Sequence, residues 1–354
     1  MSFAGASRGS CHFQSERIGR VSRRSVLAMA GMGLGAPFIA RPARAADITW
    51  RLGHIAPTDF ALHVRLVEAA GEIASRTDGK MRLEVYGNGE LGSSAGLFAQ
   101  LRAGKLDVVP MTNQLLAANL ALAALPMLGF AFTGYDGVWT ALDGELGGFI
   151  RRQIKERLGL IAMDRCWNFG FRQVTTSGKV VKTAADIEGM RLRTPPEAEL
   201  VDLFQALKAL PVAMPLGDLA KALNSHAVDG QEGVLPLVKA ARLGRYQTVC
   251  ALTNHVWDGH WMCVGGKSWA KLPDNLQQIV ADALNGGGLS QRKDTMDAEA
   301  SFKHALEATG MTFNAVDVGS FRSALRKVGY YSRWQTKIGD DGWASLEKYS
   351  GRLV

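Results

Sequence analysis

A chain of 354 residues, of which 47% are hydrophobic and 21% charged, has an ordinary globular composition and the length for two domains. This composition excludes a disordered or fibrous chain. The net charge of +8 is unevenly placed, because residues 1–45 hold seven of the 41 basic residues but only one of the 33 acidic residues. The remainder carries +2, which is too little to indicate a phosphate-binding surface, and no nucleic acid is predicted as a partner.

Residues 1–45 have the layout of an export signal. The run Ser22-Arg23-Arg24-Ser25-Val26-Leu27 enters an apolar stretch that continues to Ala40, and small residues stand at 43 and 45. The paired arginines resemble those of a twin-arginine signal, and we expect cleavage after Ala45. A short membrane anchor is the alternative, although about 15 apolar residues are few for a hydrocarbon core of about 30 Å. The mature chain is therefore expected in the periplasm.

The first part of the mature chain alternates between strand and helix patterns. ITWRLG (Ile48 to Gly53) and MRLEVY (Met81 to Tyr86) alternate apolar and polar residues as strands do, and LDVVPM (Leu106 to Met111) has the composition of a buried strand. Helical patterns fill the intervals between them. This spacing is typical of right-handed βαβ units on a parallel sheet.

Residues 160–234 repeat this organisation. Strands are predicted at Leu160 to Asp164, at RLRT and PVAMP, and at VDGQEGV, with helices at Glu197 to Leu207 and LGDLAKALNSHAV. Two similar lobes leave a cleft between them, which is the usual place for a small ligand.

The chain then crosses the cleft. HVWDGHWMCVG (His255 to Gly265) is a long apolar and aromatic strand with the length to pass from one lobe to the other. A helix is predicted from Pro273 toward Leu306, but it contains Gly286, Gly287 and Gly288, which cost about 3 kcal/mol relative to alanine. We expect this run of glycines to break or bend the helix.

Cysteine and glycine patterns argue against bound cofactors. Cys11 lies in the export signal, which leaves Cys166, Cys250 and Cys263 in the mature chain. An odd number without ligand spacing predicts no metal site, and the choice of a disulfide pair stays open. Gly266-Lys267-Ser268 does not complete a phosphate loop of the form G-x-x-x-x-G-K-[ST], because residue 261 is Trp instead of Gly, and we predict no cofactor.

The stretch GMRLRTPPEAEL (Gly189 to Leu200) contains the most suggestive single residue. A turn enters a short strand that presents Arg193 and is stopped by Pro195 and Pro196. A guanidinium can bind both oxygens of a carboxylate, and such charge-assisted hydrogen bonds contribute about 1.5–3 kcal/mol each. The alternative is a surface arginine in a turn.

Several longer segments together resemble the substrate-binding proteins of tripartite ATP-independent periplasmic (TRAP) transporters, of the DctP type. These segments are YGNGELGSSAGLFAQLRAGKLDVV, GFRQVTTSGKVVKTAADIEGMRLRTP, HAVDGQEGVL and TNHVWDGHWMCVGGKSWAKLP, in order along essentially the whole mature chain. The resemblance implies an α/β fold of two lobes with a ligand cleft between them, connected by long strands and a helix. We expect residues 1–45 to be the export signal, 46–169 plus 259–298 to form lobe I, and 170–258 plus 299–354 to form lobe II.

The resemblance also implies a function. It predicts a receptor, not an enzyme, that captures an organic acid, closes its lobes and delivers the ligand to the membrane subunits of a TRAP transporter. Two alternatives remain: a receptor of similar fold that serves a sensor system, and an exported hydrolase. The hydrolase is the weaker of the two because it would have to use Ser, His and Asp residues that are scattered along the chain.

The resemblance also implies site residues, through their positions in the matching segments. Arg193 stands where the family places its carboxylate-binding arginine, and Arg172 matches a second arginine that often assists; the alternative for Arg172 is an ion pair at the lobe surface. The family's Gly-Gln-Glu-Asn ends here in Gly233, which removes a polar contact, leaves room and argues against small dicarboxylates and sialic acid. The predicted ligand-binding residues are Arg193, Arg172, His255, Asn254, Trp167, Trp257, Ser93 and His54.

Three further predictions have structural alternatives. Trp167 and Trp257, with Trp261 nearby, could face a larger or aromatic acid, or could belong to the core. His255 beside Asn254 could contact a polar ligand group or could be a satisfied structural histidine.

Overall fold

The structure is a computed structural model, and it describes residues 46–354. The strands are β1 (Ile48–Gly53), β2 (Met81–Tyr86), β3 (Val108–Thr112), β4 (Leu160–Ala162), β5 (Trp167–Thr176), β6 (Arg191–Thr194), β7 (Leu210–Ala213), β8 (Gly230–Val234), β9 (Val249–Gly265) and β10 (Thr312–Ala315). The helices are α1 (Ala61–Arg76), α2 (Ser94–Arg102), α3 (Asn113–Ala117), α4 (Tyr135–Leu142), α5 (Glu145–Leu158), α6 (Ala184–Ile187), α7 (Ala198–Ala206), α8 (Leu216–Asn224), α9 (Leu235–Ala240), α10 (Gly266–Ala270), α11 (Asp274–Glu307), α12 (Val318–Lys327), α13 (Tyr330–Ile338) and α14 (Asp340–Ser350). Two short 3-10 helices cover Ala121–Met127 and Leu243–Arg245.

All ten strands join one sheet with β5 and β9 in its middle. Its main path runs β2-β1-β3-β9-β5-β8-β6-β7, while β4 and β10 also pair with β9. On one side β1 is parallel to β2 and β3, and on the other β6 is parallel to β7 and β8, which confirms both predicted sets of parallel strands. The 17-residue β9 runs antiparallel to β3 and β5, so the predicted long crossing strand is confirmed. The residue boundaries of the lobes stay a prediction.

The glycines were expected to break or bend the long helix, and the expectation of a break is wrong. Helix α11 continues for 34 residues through Gly286, Gly287 and Gly288. A side chain on Gly288 would place its Cβ 2.8 Å from Nε1 of Trp167, and one on Gly287 would lie 3.2 Å from the same indole. These glycines therefore let the helix pack closely on β5, and the burial of Trp167 offsets their low helix propensity.

The two ends of the sheet have separate apolar clusters. Leu66 and Ile73 of α1 pack with Leu284 of α11 beside the β1 end, whereas Leu219 of α8 and Val238 of α9 belong to a smaller cluster at the β8 end. Between them lies the largest cluster, which contains residues of both predicted lobes. The middle of the sheet is formed by β5 and β9, the strands that carry several of the polar residues described next.

The described region contributes two further observations. The thiols of Cys166, Cys250 and Cys263 are all buried and unpaired, so none of the open disulfide pairings forms. Within residues 46–354, no helix combines the length and apolar character that crossing a bilayer requires.

Candidate functional site

Arg193 lies at the carboxyl end of β6, where Pro195 and Pro196 prevent the strand from continuing. The residue is only 4% exposed, yet its one side-chain hydrogen bond among the described residues runs from Nε to the carbonyl of Met214, at 3.0 Å. It forms no ion pair with any carboxylate in residues 46–354. Burial lowers the pKa of Arg193 below its ordinary value. Burying a guanidinium whose N–H groups mostly lack acceptors costs free energy, unless an anion binds beside it.

Arg172 on β5 is held differently. Its Nε and Nη2 donate to the two oxygens of Glu232 at 2.5 and 2.7 Å, and Nη1 donates to Asp258 at 3.3 Å. Burial alone would lower the pKa of Arg172, but the Glu232 carboxylate, with Asp258, raises it above the ordinary value. The ion pair considered from the sequence is therefore present, in the interior instead of at the surface, and two N–H groups of Arg172 remain uncommitted.

Glu232 connects Arg172 to His255. The imidazole Nε2 lies 3.2 Å from Glu232, and Nδ1 lies 2.8 Å from the hydroxyl of Thr253. Burial would raise the pKa of Glu232, but Arg172 and His255 outweigh it and lower the pKa to about 2. Burial lowers the pKa of His255. His255 therefore matches the structural alternative, because both ring nitrogens already have partners.

Asp258 connects the same network to α3. Its Oδ2 accepts from the side-chain amide of Gln114 at 2.9 Å as well as from Arg172. Burial raises the pKa of Asp258. A continuous set of hydrogen bonds thus links β8, β5, β9 and α3.

Three histidines meet at the end of β1. Nε2 of His54 lies 3.0 Å from Nδ1 of His63, and His260 on β9 is close enough to affect His54 electrostatically. Burial, followed by the two neighbouring histidines, lowers the pKa of His54 to about 4, and burial alone lowers that of His260 to about 4. Both rings are therefore neutral at pH 7. Nowhere in residues 46–354 do three or more His, Cys, Asp or Glu side chains assemble as a metal centre.

Unpartnered polar atoms mark the same region. Four atoms are buried without a hydrogen-bond partner in the described part of the chain: Nδ1 of His260, Nδ2 of Asn113, the hydroxyl of Thr194 and Oε2 of Glu197. His260 pairs in the sheet with Thr112, the residue before Asn113, while Thr194 and Glu197 follow Arg193. They lie at or just beyond the carboxyl ends of β3 and β6 or on the crossing strand, which is where open α/β sheets bind ligands.

Two other predicted residues lie apart from this region. Asn254 occupies a bulge of β9 with a φ of 43°, where its amide bonds to Gln173 and to the carbonyl of Thr133. Ser93 is exposed and caps α2 by accepting from the backbone N–H of Gly96. Both side chains are used within the protein.

The tryptophans are enclosed in the interior. Nε1 of Trp257 donates to Asn168 and that of Trp261 to Asn113, while Trp167 packs on α11; each is at most 1% exposed. Their surroundings match the core alternative.

The space expected beside Gly233 is also taken. A Cβ at this position would lie 3.0 Å from the Oε1 atom of Gln231, whose amide nitrogen donates to Thr175. The polar group nearest to Gly233 is therefore the Gln231 amide, so the substitution does not simply enlarge the site.

Sequence reasoning missed Glu197, Asp258, His260 and Asn113. Asp258 and His260 had a detectable signal, since two polar residues at alternate positions of an otherwise apolar strand lie on one face. Asn113 and Glu197 had none, because acids and amides at helix starts are ordinarily caps.

Comparisons with known proteins agree with this architecture. The family model described as bacterial extracellular solute-binding protein, family 7 (DctP), matches residues 52–333. A solute-binding protein of Roseobacter denitrificans is 30% identical over 80% of this chain and 86% of its own length. The sialic acid-binding periplasmic protein SiaP of Vibrio cholerae is 24% identical over 76% of this chain and 83% of its own.

Solved structures show the same fold. A TRAP periplasmic solute-binding protein of Roseobacter denitrificans with bound L-galactonate superposes with a TM-score of 0.72 at 26% identity, covering 86% of this chain and 99% of that one. Another from Sulfitobacter, with bound β-D-galacturonate, gives a TM-score of 0.76 at 21% identity over 86% and 100% of the two chains. The fold is therefore the two-lobed fold of these binding proteins.

Proposed function

The chain belongs to the bacterial extracellular solute-binding proteins of family 7, the DctP family, and we propose that it is an extracytoplasmic receptor that grips a sugar acid through Arg193. It is a binding protein and not an enzyme. The observation that carries this proposal is the state of Arg193, a buried guanidinium with a single backbone partner. A ligand carboxylate supplies the missing anion and accepts two parallel hydrogen bonds.

Arg172 has a supporting part in this proposal. Its ion pairs with Glu232 and Asp258 fix its position, and its charge opposes that of Arg193 while favouring an incoming carboxylate. Because only two N–H groups of Arg172 remain uncommitted, we assign it a secondary contact with the ligand and assign the main contact with the carboxylate to Arg193.

The histidine end of the site suits hydroxyl groups. His54 and His260 are neutral at pH 7; His54 offers Nδ1 alone because its Nε2 is bonded to His63, His260 offers Nδ1, and Asn113 offers an amide donor without a partner among residues 46–354. These groups lie on β9 and at the ends of β1 and β3, whereas Arg193 lies at the end of β6. A polyhydroxy acid that spans them contacts both lobes at once, which favours the closed state over the open one.

The ligand class follows from this division of charge. One end of the site is cationic and the other is neutral and rich in hydrogen-bonding groups, which matches a monocarboxylate with a polyol or sugar body. The related proteins whose structures contain L-galactonate and β-D-galacturonate bind ligands of this kind. The family's role further supports delivery of the bound acid to TRAP membrane subunits.

A thermal-shift screen tests this function. Sugar acids at about 100 times their Kd are expected to raise the unfolding midpoint of the purified protein by about 5 °C, because ligand binding at this excess stabilises the folded state by about 2.7 kcal/mol. The neutral parent sugars are the matched controls and should produce no shift. Equal shifts by acid and neutral sugar, or none by any sugar acid, would contradict the proposal.

Transport and sensing are distinguished by the genes beside this one. Genes for two membrane subunits of a TRAP transporter favour delivery to a transporter, whereas a histidine kinase gene favours a sensor. Loss of sugar-acid uptake when this gene alone is deleted and the membrane subunit genes are kept would establish the transport role.

We further propose export by the twin-arginine route with cleavage after Ala45. Replacing Arg23 and Arg24 together by lysine preserves charge but removes the paired guanidiniums, and we expect the full-length protein to remain in the cytoplasm. Replacing Arg17 and Arg20 by lysine is the matched control and should leave export unchanged. Cell fractionation measures export, and the mass of the periplasmic product locates the cleavage site. A mature product that begins elsewhere than at Ala46 would refute the proposed cleavage.

A further inference from the structure

Glu197 follows β6, the strand that carries Arg193, and its carboxylate has no hydrogen-bond partner among residues 46–354. Glu197 is the residue immediately before α7, where an acidic side chain normally caps the helix, but it forms no capping hydrogen bond. Its Oε2 atom is buried and unpartnered. The usual structural explanation for an acid at this position therefore does not apply.

The surroundings of Glu197 place it beside the carboxylate clamp. The charge of Arg172 favours its ionised form, whereas Asp258 and Glu232 oppose it, so all three lie within electrostatic range. Burial is the largest influence and raises the pKa of Glu197 to about 7. The Glu197 carboxylate also favours the charged form of Arg193, whose one side-chain hydrogen bond in residues 46–354 goes to Met214 instead. Glu197 thus borders the position at which Arg193 would hold a ligand carboxylate.

In its ionised form Glu197 has only acceptors, so its free oxygen requires a donor from the ligand. The ligand carboxylate, bound to Arg193, brings the adjoining carbon and its substituent into the same region. A hydroxyl on that carbon can donate to Glu197, whereas a second carboxylate or a keto oxygen offers only acceptors. The ring oxygen of a pyranose uronate, which occupies the corresponding position, is also only an acceptor. The hydroxyl of Thr194, buried and unpartnered, can contact the same group.

We propose that Glu197 determines specificity by accepting a hydrogen bond from the hydroxyl on the carbon next to the ligand carboxylate, so that the receptor prefers aldonates to pyranose uronates and to dicarboxylates. This inference rests on the proposed function, because it requires Arg193 to hold the carboxylate. It narrows the ligand from sugar acids in general to 2-hydroxy acids with a polyol chain.

Calorimetric titration of the purified protein with L-galactonate and D-erythronate, each beside its 2-deoxy analogue, tests the proposal. The natural protein should bind each 2-hydroxy acid at least about 10-fold more tightly than its deoxy analogue. In Glu197→Ala this preference should fall to less than about 2-fold, and Glu197→Gln, which keeps a carbonyl acceptor, should retain an intermediate preference. Glu188→Ala, at an exposed acid outside the site, is the control and should behave as the natural protein does.

The outcomes separate the two proposals. The same preference for the 2-hydroxy acid in Glu197→Ala and in the natural protein would overturn the role of Glu197 while leaving the sugar-acid receptor intact. Tighter binding of glucuronate or galacturonate than of either aldonate would overturn it as well. Absence of binding by every sugar acid would instead remove the proposed function, and this inference with it.

Discussion

Replacing Arg193 by alanine is expected to weaken sugar-acid binding by at least about 100-fold. Arg193 supplies two parallel charge-assisted hydrogen bonds to the ligand carboxylate in the proposed site, and each contributes about 1.5–3 kcal/mol. At about 1.4 kcal/mol for each tenfold change in Kd, the loss of both reaches a factor of 100 or more. Titration calorimetry at constant pH measures the change.

Two controls separate this effect from a folding defect. Arg193→Lys retains the positive charge without the planar pair of donors, and its affinity should lie between those of the natural protein and Arg193→Ala. Without ligand, Arg193→Ala should be at least as stable as the natural protein, because Arg193 is buried with no ion-pair partner in residues 46–354. Unchanged affinity in a folded Arg193→Ala protein would remove the clamp from the account.

Replacing Glu232 by alanine is expected to produce the largest loss of stability, about 3–5 kcal/mol. The substitution leaves Arg172 buried without its bidentate partner and removes the acceptor of His255. Urea unfolding at pH 7 measures the free energy. Glu188→Ala breaks an ion pair with Lys208 whose side chains are 55% and 64% exposed, and it should change stability by less than about 1 kcal/mol.

The pH dependence of the free energy of unfolding tests the ionisation of Glu232 independently. The pKa of Glu232 is about 2 in the folded protein, whereas the reference value of 4.5 applies to the unfolded chain. The unfolded chain therefore binds the proton more readily. The stabilisation is therefore complete above pH 4.5 and is lost as the pH falls toward 2. Glu232→Ala should lack this part of the acid dependence; an acid profile parallel to that of the natural protein would show that Glu232 is not held as a low-pKa carboxylate.

Much of the fold could be predicted from residue patterns because the strands differ clearly in their surroundings. The alternating strands β1 and β2 and the long apolar β9 were recognisable, as were the two sets of parallel strands. Helix α11 was misjudged at Gly287 and Gly288 because intrinsic propensity assigns glycine only a cost. Their benefit depends on Trp167, which is more than 100 positions away in the sequence and reaches the helix only in the folded protein.

The site was less predictable because its properties depend on which partners each side chain finds. Arg193 and Arg172 have the same chemistry, yet Arg172 is engaged by Glu232 and Asp258 whereas Arg193 has only the carbonyl of Met214. No local pattern distinguishes the two arginines. Asn254 stands beside His255, but a β-bulge turns its amide into the protein.

The charges around Arg193 also explain why an arginine-centred site need not accept every carboxylate. Asp258 and Glu232 are committed to Arg172, while Glu197 adds a third acid whose oxygen is free. A ligand with one carboxylate and adjacent hydrogen-bond donors is compatible with this arrangement, and a second negative charge is not. In the proposed site, therefore, the acids near Arg193 set selectivity and Arg193 provides the attraction.

A crystal structure of the protein with a bound sugar acid tests the central claim most directly. Both carboxylate oxygens of the ligand are expected within about 2.7–3.0 Å of the guanidinium nitrogens of Arg193, with the hydroxyl-bearing end of the ligand toward His260 and Asn113. A ligand whose carboxylate binds elsewhere in the cleft, while Arg193 keeps only its bond to Met214, would contradict the account.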